Sequence, residues 1–524
     1  MTALSLATIL AEGARRYPTK TAVVDGDLRV SYADLWQQAR SYAAALQQVG
    51  VKPGDAVALM VPNLVDFPRA YYGALAAGAV VVPVHLLLTA DEAAYVLRDS
   101  RATLLLAHTS QLAVGGAAAA AAGIPVVTTG PVPDGVSLPA GVRRLEDVAA
   151  TVEPLVSYVS RSAEDPAVIF FTSGTTGQPK GAVLTHLNLV MNATVNVFDA
   201  NDARPTDVVL GCLPLFHTFG QTVGMNGTFR LGATLVLLPR FTGAAAIEMM
   251  LREGVNVFHG VPTMYVGMLE AAPSFDRLPQ LRLCISGGAS LPHVVLERFN
   301  ETFATSIFEG YGLSETSPTA TTNQPHFGTK AGTIGHPVWG VEVEIARAEI
   351  DERIELLPVG ELGEIVIRGH NVFAGYLGRP QETALAMVDG WFRSGDLGRK
   401  DEQGFITIVD RKKDLVIRGG FNVYPREIEE VLARMPGVVQ VAVIGVPDQV
   451  FGEEIMAVIV WDKAQGAPPT EAEVIAWAQE RLGRHKYPRQ VRFIDELPLG
   501  PSMKVLKREL RRTIADSSEA AANG

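Results

Sequence analysis

Residues 56–84 read AVALMVPNLVDFPRAYYGALAAGAVVVPV. An apolar run, Ala56 to Pro62, leads into a helical stretch from Phe67 to Ala77, and a second apolar run, Ala79 to Val84, follows. Two short apolar runs flanking a helix-length segment predict neighbouring parallel strands with the helix laid across one face. Thr89-Ala90-Asp91-Glu92 has capping-box spacing and predicts the next helix start. Leu104 to Ala107 is a third run. The same texture returns at Asp207 to Leu213, Thr234 to Leu238, Val255 to His259 and Leu281 to Ile285. The fold class is therefore α/β, with parallel sheets covered by helices.

After about Gly335 the texture changes. Val341 to Ile345, Gly363 to Ile367 and Gly404 to Val409 are separated by Gly, Pro and charged turns, which predicts an antiparallel β region. From Arg426 the pattern is helix (426–435), strand (438–444), strand (454–460), helix (471–482), strand (490–493). That is an α+β unit of small-domain size. The charged stretch Asp410-Arg411-Lys412-Lys413 marks the boundary, so residues 1–409 and 414–524 are the expected parts, joined by 410–413. Ser517 to Gly524 is small and polar and predicts a disordered tail. No internal repeat is visible.

The chain has 524 residues and 48% hydrophobic residues, enough apolar surface to exclude disorder for most of it. Its net charge of −11 argues against general nucleic-acid binding, which needs a basic footprint. Two cysteines, Cys212 and Cys284, exclude a disulfide scaffold, and no histidine spacing suits zinc. The basic pair Arg15-Arg16 follows the first apolar residues, the wrong order for a signal peptide. The Ala-rich run 112–127 is broken by Gly115, Gly116, Gly123 and Pro125 and reads as a surface helix with loops. A cytoplasmic protein without an integral membrane segment is expected, with loose membrane association and a homodimer left open.

The chemistry concentrates in Phe170-Phe171-Thr172-Ser173-Gly174-Thr175-Thr176-Gly177-Gln178-Pro179-Lys180-Gly181. Glycines let backbone N–H groups converge, and hydroxyls and the lysine add donors, as a polyphosphate requires. It is not a Walker A loop, because Pro179 precedes the lysine and Gly181 follows it. By composition alone an ordinary Gly/Ser/Thr turn is as good a reading.

The string TSGTTGQPKG resembles the signature of the adenylate-forming superfamily, which includes acyl-CoA synthetases, aryl-CoA ligases, peptide-synthetase adenylation domains and beetle luciferases. Four further motifs stand in that family's order. They are Tyr311-Gly312-Leu313-Ser314-Glu315-Thr316, Gly390-Trp391-Phe392-Arg393-Ser394-Gly395-Asp396, Asp410-Arg411-Lys412-Lys413-Asp414 with Gly419-Gly420, and Lys504. The resemblance covers essentially the whole chain. It implies a large N-terminal α/β domain with a β-barrel subdomain and a small mobile C-terminal domain. The implied reaction uses ATP, Mg²⁺ and coenzyme A. A carboxylate attacks the α-phosphate to give acyl-AMP and pyrophosphate, and a thiol then takes the acyl group.

The resemblance also implies residue roles. Thr172, Ser173, Gly174, Thr175, Thr176, Gly177 and Lys180 cradle the β- and γ-phosphates. Glu315 holds the metal, since a hard cation wants carboxylate oxygen; alone it would read as a helix-cap partner. Thr316 contacts the α-phosphate. Gly287, Gly288 and Ala289 sandwich the adenine against Tyr311, with Glu309, Gly310 and Gly312 beside it. Asp396 accepts from the ribose hydroxyls, and Arg411 adds a contact to ribose or phosphate. Lys413 is the hinge, although by itself it reads as a solvated charge. Lys504 neutralises the carboxylate and α-phosphate during adenylation. The family usually has glycine before this lysine, where this chain has Met503, and Lys507 is a nearby decoy. Gly419 and Gly420 line the pantetheine tunnel.

The acyl pocket is expected around His217, Phe219, Val223, Tyr265, Gly288, Gly312 and Leu313. It contains no lysine or arginine, which disfavours a second carboxylate on the substrate. No acidic partner for an ammonium group is evident, which disfavours amino acids. A medium- or long-chain fatty acid is the preferred substrate, an aryl or phenylpropenoid acid the alternative. A ligase loading a carrier protein and a non-catalytic acyl-nucleotide-binding protein are the rivals from other classes.

Overall fold

A computed structural model describes residues 3–133, 135, 137–172, 178–500 and 505–522, with side chains to Ile514. The quoted stretch folds as read. Strand Ala56–Met60 pairs in parallel with Val80–Pro83, and helix Asp66–Ala76 connects them. These strands belong to an eight-stranded sheet that also holds Pro166–Thr172 and Lys180–Thr185, the two arms of the glycine-rich loop. Helix Ala90–Asp99 starts at Thr89 with the expected capping box.

A second sheet of nine strands carries the later apolar runs. Val208–Gly211, Val257–Gly260, Leu283–Ser286 and Ile307–Gly312 lie side by side and parallel. Their carboxyl ends run into Gly260, Gly287-Gly288 and Gly310-Tyr311-Gly312, the end of such a sheet at which ligands bind. The antiparallel region after Gly335 is a five-stranded sheet containing Val341–Ala346, Gly363–Gly369, Trp391–Lys400 and Ile406–Arg411. One apolar core reaches all three sheets, from Val23 and Val81 through Leu210 to Ile367 and Phe392.

The C-terminal unit has cores of its own. Strand Gly452–Trp461 alternates, sending Ile455, Ala457 and Ile459 to one face and Met456 and Val458 to the other. Helices Pro425–Leu432 and Glu471–Gln479 cover the first face through Ile428, Leu432, Val474 and Ala478. Helix Lys507–Ala522 covers the second through Leu510 and Ile514. This helix corrects the expectation of a disordered tail from Ser517. The stretch SSEAAA holds no Gly or Pro, and alanine has the highest helix propensity, so the docked helix propagates through it. Among the described residues no helix is long and apolar enough to cross a membrane.

Candidate active site

Strand Ile307–Gly312 ends in a tight reversal. Ser314–Thr316 forms a short 3₁₀ turn, and Thr319–Thr322 returns antiparallel, pairing Gly312 with Thr319. A Cβ on Gly312 would stand 1.7 Å from the Pro318 carbonyl oxygen, so only glycine fits there. Thr316 is fully buried. Its hydroxyl donates to the Pro318 carbonyl at 2.5 Å and accepts from Leu313 N–H at 2.8 Å. The threonine expected at the α-phosphate thus closes the turn that presents Glu315. Thr218 ties the turn to its neighbour, donating to Ser314 Oγ at 3.2 Å.

On one side of the turn lie Tyr311, Asp396 and Arg411. Tyr311 donates to Asp396 Oδ2 at 2.5 Å, and Arg411 Nε donates to Oδ1 at 3.0 Å. Asp396 comes from strand Trp391–Lys400, whose partner Ile406–Arg411 sets Arg411 directly opposite it. The Asp396 charge holds the Arg411 guanidinium up, while burial followed by that same charge pushes the Tyr311 phenol well above its ordinary value. A buried carboxylate held by two donors is suited to receiving hydroxyls of a sugar. Glu309, also expected here, is engaged elsewhere. Its oxygens accept from Leu291 and Gly332 N–H at 3.4 and 3.3 Å, which braces two loops.

On the other side lies Glu315, buried to 7% exposure. Its Oε1 accepts from the Tyr376 hydroxyl at 2.9 Å and from Thr172 Oγ1 at 3.5 Å. Lys180 Nζ sits 5.3 Å from the Tyr376 ring centre. Tyr376 comes from the short strand Gly375–Tyr376, which edges the eight-stranded sheet beside Lys180–Thr185. Sequence reading missed it, because its partner stands 61 positions away and no local pattern marks it. The arm of the glycine-rich segment is fastened too: Tyr95 donates to the Pro179 carbonyl at 2.9 Å, and Arg379 reaches Tyr95 and Asp99. Ser173, Gly174, Thr175, Thr176 and Gly177 lie outside the described residues.

Among the described residues no three His, Cys, Asp or Glu side chains gather as a metal cage. Glu315 alone fits Mg²⁺, which takes one or two carboxylates and fills its shell with water and substrate phosphate oxygens. Tyr376→Phe removes the 2.9 Å hydrogen bond but keeps the ring under Lys180. It is expected to weaken binding of Mg²⁺ and ATP by roughly 10–150-fold in a calorimetric titration, the range of one hydrogen bond to a charged group. An unchanged affinity would remove Tyr376 from the site.

The expected acyl residues divide. Phe219 packs against Gly287, where a Cβ would meet its ring at 3.2 Å, and stacks on His259 with centroids 6.3 Å apart. Val223 follows on the same helical segment, and His217 accepts from Phe219 N–H at 3.3 Å. Gly288 is half-buried and Ala289 exposed. Tyr265 stands apart. It packs between Phe258 and Phe299, with centroids 5.0 and 4.8 Å away, and neighbours Cys284 and Cys212. Phe258 and His259 alternate along one strand, so Tyr265 lies on the face opposite Val223 and is core rather than pocket lining.

At the domain junction Arg426 donates from its backbone to Asp410 Oδ2 and from its side chain to the Ile408 carbonyl. Lys413 is exposed, and partial burial and then the cations Lys180, Arg411 and Lys412 lower its ammonium. Lys413 therefore stands in the field of Lys180. Lys507 is engaged. It pairs with Glu429 at 2.6 Å, and although burial opposes its charge, Glu429 and Asp410 raise it. Lys504 and Met503 lie outside the described residues. Gly419 and Gly420 are exposed, at φ of 56° and 84°. Backbone conformation alone therefore favours glycine at both, beside any tunnel role.

Comparison with known proteins fits this geometry. Residues 10–377 match the AMP-binding enzyme family, and residues 427–504 match the AMP-binding enzyme C-terminal domain. A long-chain-fatty-acid–CoA ligase of Bacillus subtilis is 34% identical, over 97% of this chain and 94% of its own. A feruloyl-CoA synthase of an Amycolatopsis species is 38% identical, over 95% and 97%. The solved structure of ATP-bound MatB from Rhodopseudomonas palustris has a TM-score of 0.87 at 35% identity, covering 97% of this chain and 98% of that one. The chain belongs to the AMP-binding enzyme family, part of the adenylate-forming superfamily. Within it, the protein is an enzyme of the acyl-CoA ligase class.

Proposed function

We propose that the protein activates a carboxylic acid with ATP and passes the acyl group to coenzyme A, with a medium- or long-chain fatty acid as substrate. The observation that carries this reading is the turn Tyr311–Thr316, with Glu315, Tyr376 and Lys180 on one side and Asp396 with Arg411 on the other. In the first step a carboxylate oxygen bonds to the α-phosphorus and the bond to the β-phosphate oxygen breaks, releasing pyrophosphate. Lys180 and the residues from Thr172 to Gly177 hold the departing phosphates. Asp396 and Arg411 hold the ribose end, and Gly287 and Tyr311 flank the adenine. Mg²⁺ held by Glu315 would supply charge neutralisation for the phosphates. No protein nucleophile is needed, since positioning and electrostatics supply the catalysis. In the second step the CoA sulfur bonds to the acyl carbon and AMP leaves. Residues 410–413 act as the hinge between the two steps.

A phenylpropenoid or aryl acid is the second reading. The aromatic wall formed by Phe219 and His259 favours it, as does the likeness to a feruloyl-CoA synthase. The test is pyrophosphate release and CoA-thiol loss measured in parallel with acetate, octanoate, palmitate, benzoate and ferulate. Tracking of both signals with octanoate or palmitate supports the fatty-acyl reading, and tracking with ferulate or benzoate supports the second. Pyrophosphate without thiol loss would mean that a carrier protein is the acceptor.

Gly420→Leu is expected to leave pyrophosphate release within about twofold and to cut thioester formation at least tenfold. Its Cβ would meet nothing within 4 Å, and the φ of 84° costs an L-residue only about 1–2 kcal/mol. Equal loss of both half-reactions would contradict the tunnel role.

A further inference from the structure

Beside Val223 and His259 the structure holds a small cavity of about 20 Å³. Val223, expected in the acyl pocket, lines it together with His259 and Ile285, and Asn201, Asp207, Val257 and Thr228 are among the other lining residues. His259 and Ile285 are cross-strand partners, so they share one face of the sheet. A space of this size holds one water molecule or one hydroxyl oxygen and no length of alkyl chain.

Two polar atoms in this wall have no hydrogen-bond partner: His259 Nδ1 and Asn201 Oδ1. Both residues are more than nine-tenths buried, at 6% and 8% exposure. An unpaired buried donor or acceptor is costly, so such a pair asks for a guest that can hydrogen-bond. Burial holds the His259 imidazole down to about 4, which leaves it neutral at pH 7. A neutral ring suits an uncharged oxygen and offers no compensation for a carboxylate, and the one charged side chain lining the cavity, Asp207, is already paired with Arg282 at 2.5 Å. The stacked Phe219 ring keeps the imidazole plane in place.

We propose that this cavity is the distal end of the acyl site, where His259 and Asn201 hydrogen-bond an uncharged hydroxyl at the far end of the acid. The inference rests on the ligase reading above and narrows it to acids with a remote neutral hydroxyl, aromatic or aliphatic.

The test uses the full chain with an α,β-methylene analogue of ATP. Calorimetry measures the affinities of cinnamate against para-hydroxycinnamate and of decanoate against ω-hydroxydecanoate. In one pair the hydroxylated acid should bind on the order of 10–100-fold more tightly, the span of one satisfied against one unsatisfied buried group. The pair that responds tells aryl from aliphatic. His259→Phe and Asn201→Leu should bring that ratio to about one, and His259→Gln should keep part of it, because the amide restores hydrogen bonding. Thermal melts of each variant show whether it is folded. Equal affinities within both pairs, or no binding of either hydroxylated acid, would overturn the proposal and make the cavity a water site only. A ratio untouched by His259→Phe would overturn it as well. CoA-thiol loss is followed on the same samples. Thiol loss without a hydroxyl preference counts against His259 alone, and a binding preference without thiol loss counts against the ligase reading alone.

Discussion

Lys504→Ala is expected to lower pyrophosphate release by about a hundred- to a thousandfold, the usual loss when one donor to a transition-state charge is removed. Thioester formation from supplied acyl-AMP should stay near the parent rate, because the phosphoryl step is then already complete. The lysine at 507 cannot substitute. It is clamped to Glu429 at 2.6 Å, with Asp410 adding to the same field, so its ammonium holds the C-terminal domain together. Lys507→Ala should accordingly cost about 1–3 kcal/mol of stability by stranding those carboxylates. Stopped-flow pyrophosphate release on both variants separates the roles. An unchanged rate in Lys504→Ala would refute the assignment.

Gly312→Ala is expected to weaken ATP binding at least tenfold and to lower the melting temperature. The added methyl would lie 1.7 Å from a backbone oxygen, and neither backbone can swing away as a side chain can. Overpacking of this kind costs about 1–3 kcal/mol or more. The strain falls on the hydrogen bonds of Thr316 that hold the turn and on the neighbouring Tyr311–Asp396 bond. Gly310→Ala is the control, since its Cβ would make only an ordinary contact at 3.4 Å with Thr322 Oγ1. An ATP affinity in Gly312→Ala equal to that of the control would show that the turn opens without cost.

Most of the inner strands of the two large sheets were legible because their signal is local. Val257–Gly260 and Leu283–Ser286 lie within two residues of the apolar runs that announced them. The C-terminal alternation was legible for the same reason. The site was legible in part. Glu315, Asp396 and Arg411 stand in distinctive strings, and the fold brings Asp396 and Arg411 to a shared hydrogen bond. Tyr265 is expected in the pocket because an aromatic residue on a helix carries no mark of which sheet face it serves. His259 was passed over as the end of a strand, since a histidine in an apolar run looks like a packed one.

Chain order and local pattern by themselves determined the α/β class, and the motif strings carried the resemblance to the adenylate-forming superfamily. Periodicity and motif strings are properties of neighbouring residues, and they survive without knowledge of contacts. Only the tertiary structure decided that Tyr376 reaches Glu315, that Thr316 spends its hydroxyl inside its own turn, that Tyr265 turns away from the pocket and that His259 faces a cavity beside Asn201. Apart from the local Thr316 turn, each depends on contacts between segments far apart in sequence, and a one-residue change of register would move a strand residue such as Tyr376 or His259 to the opposite face.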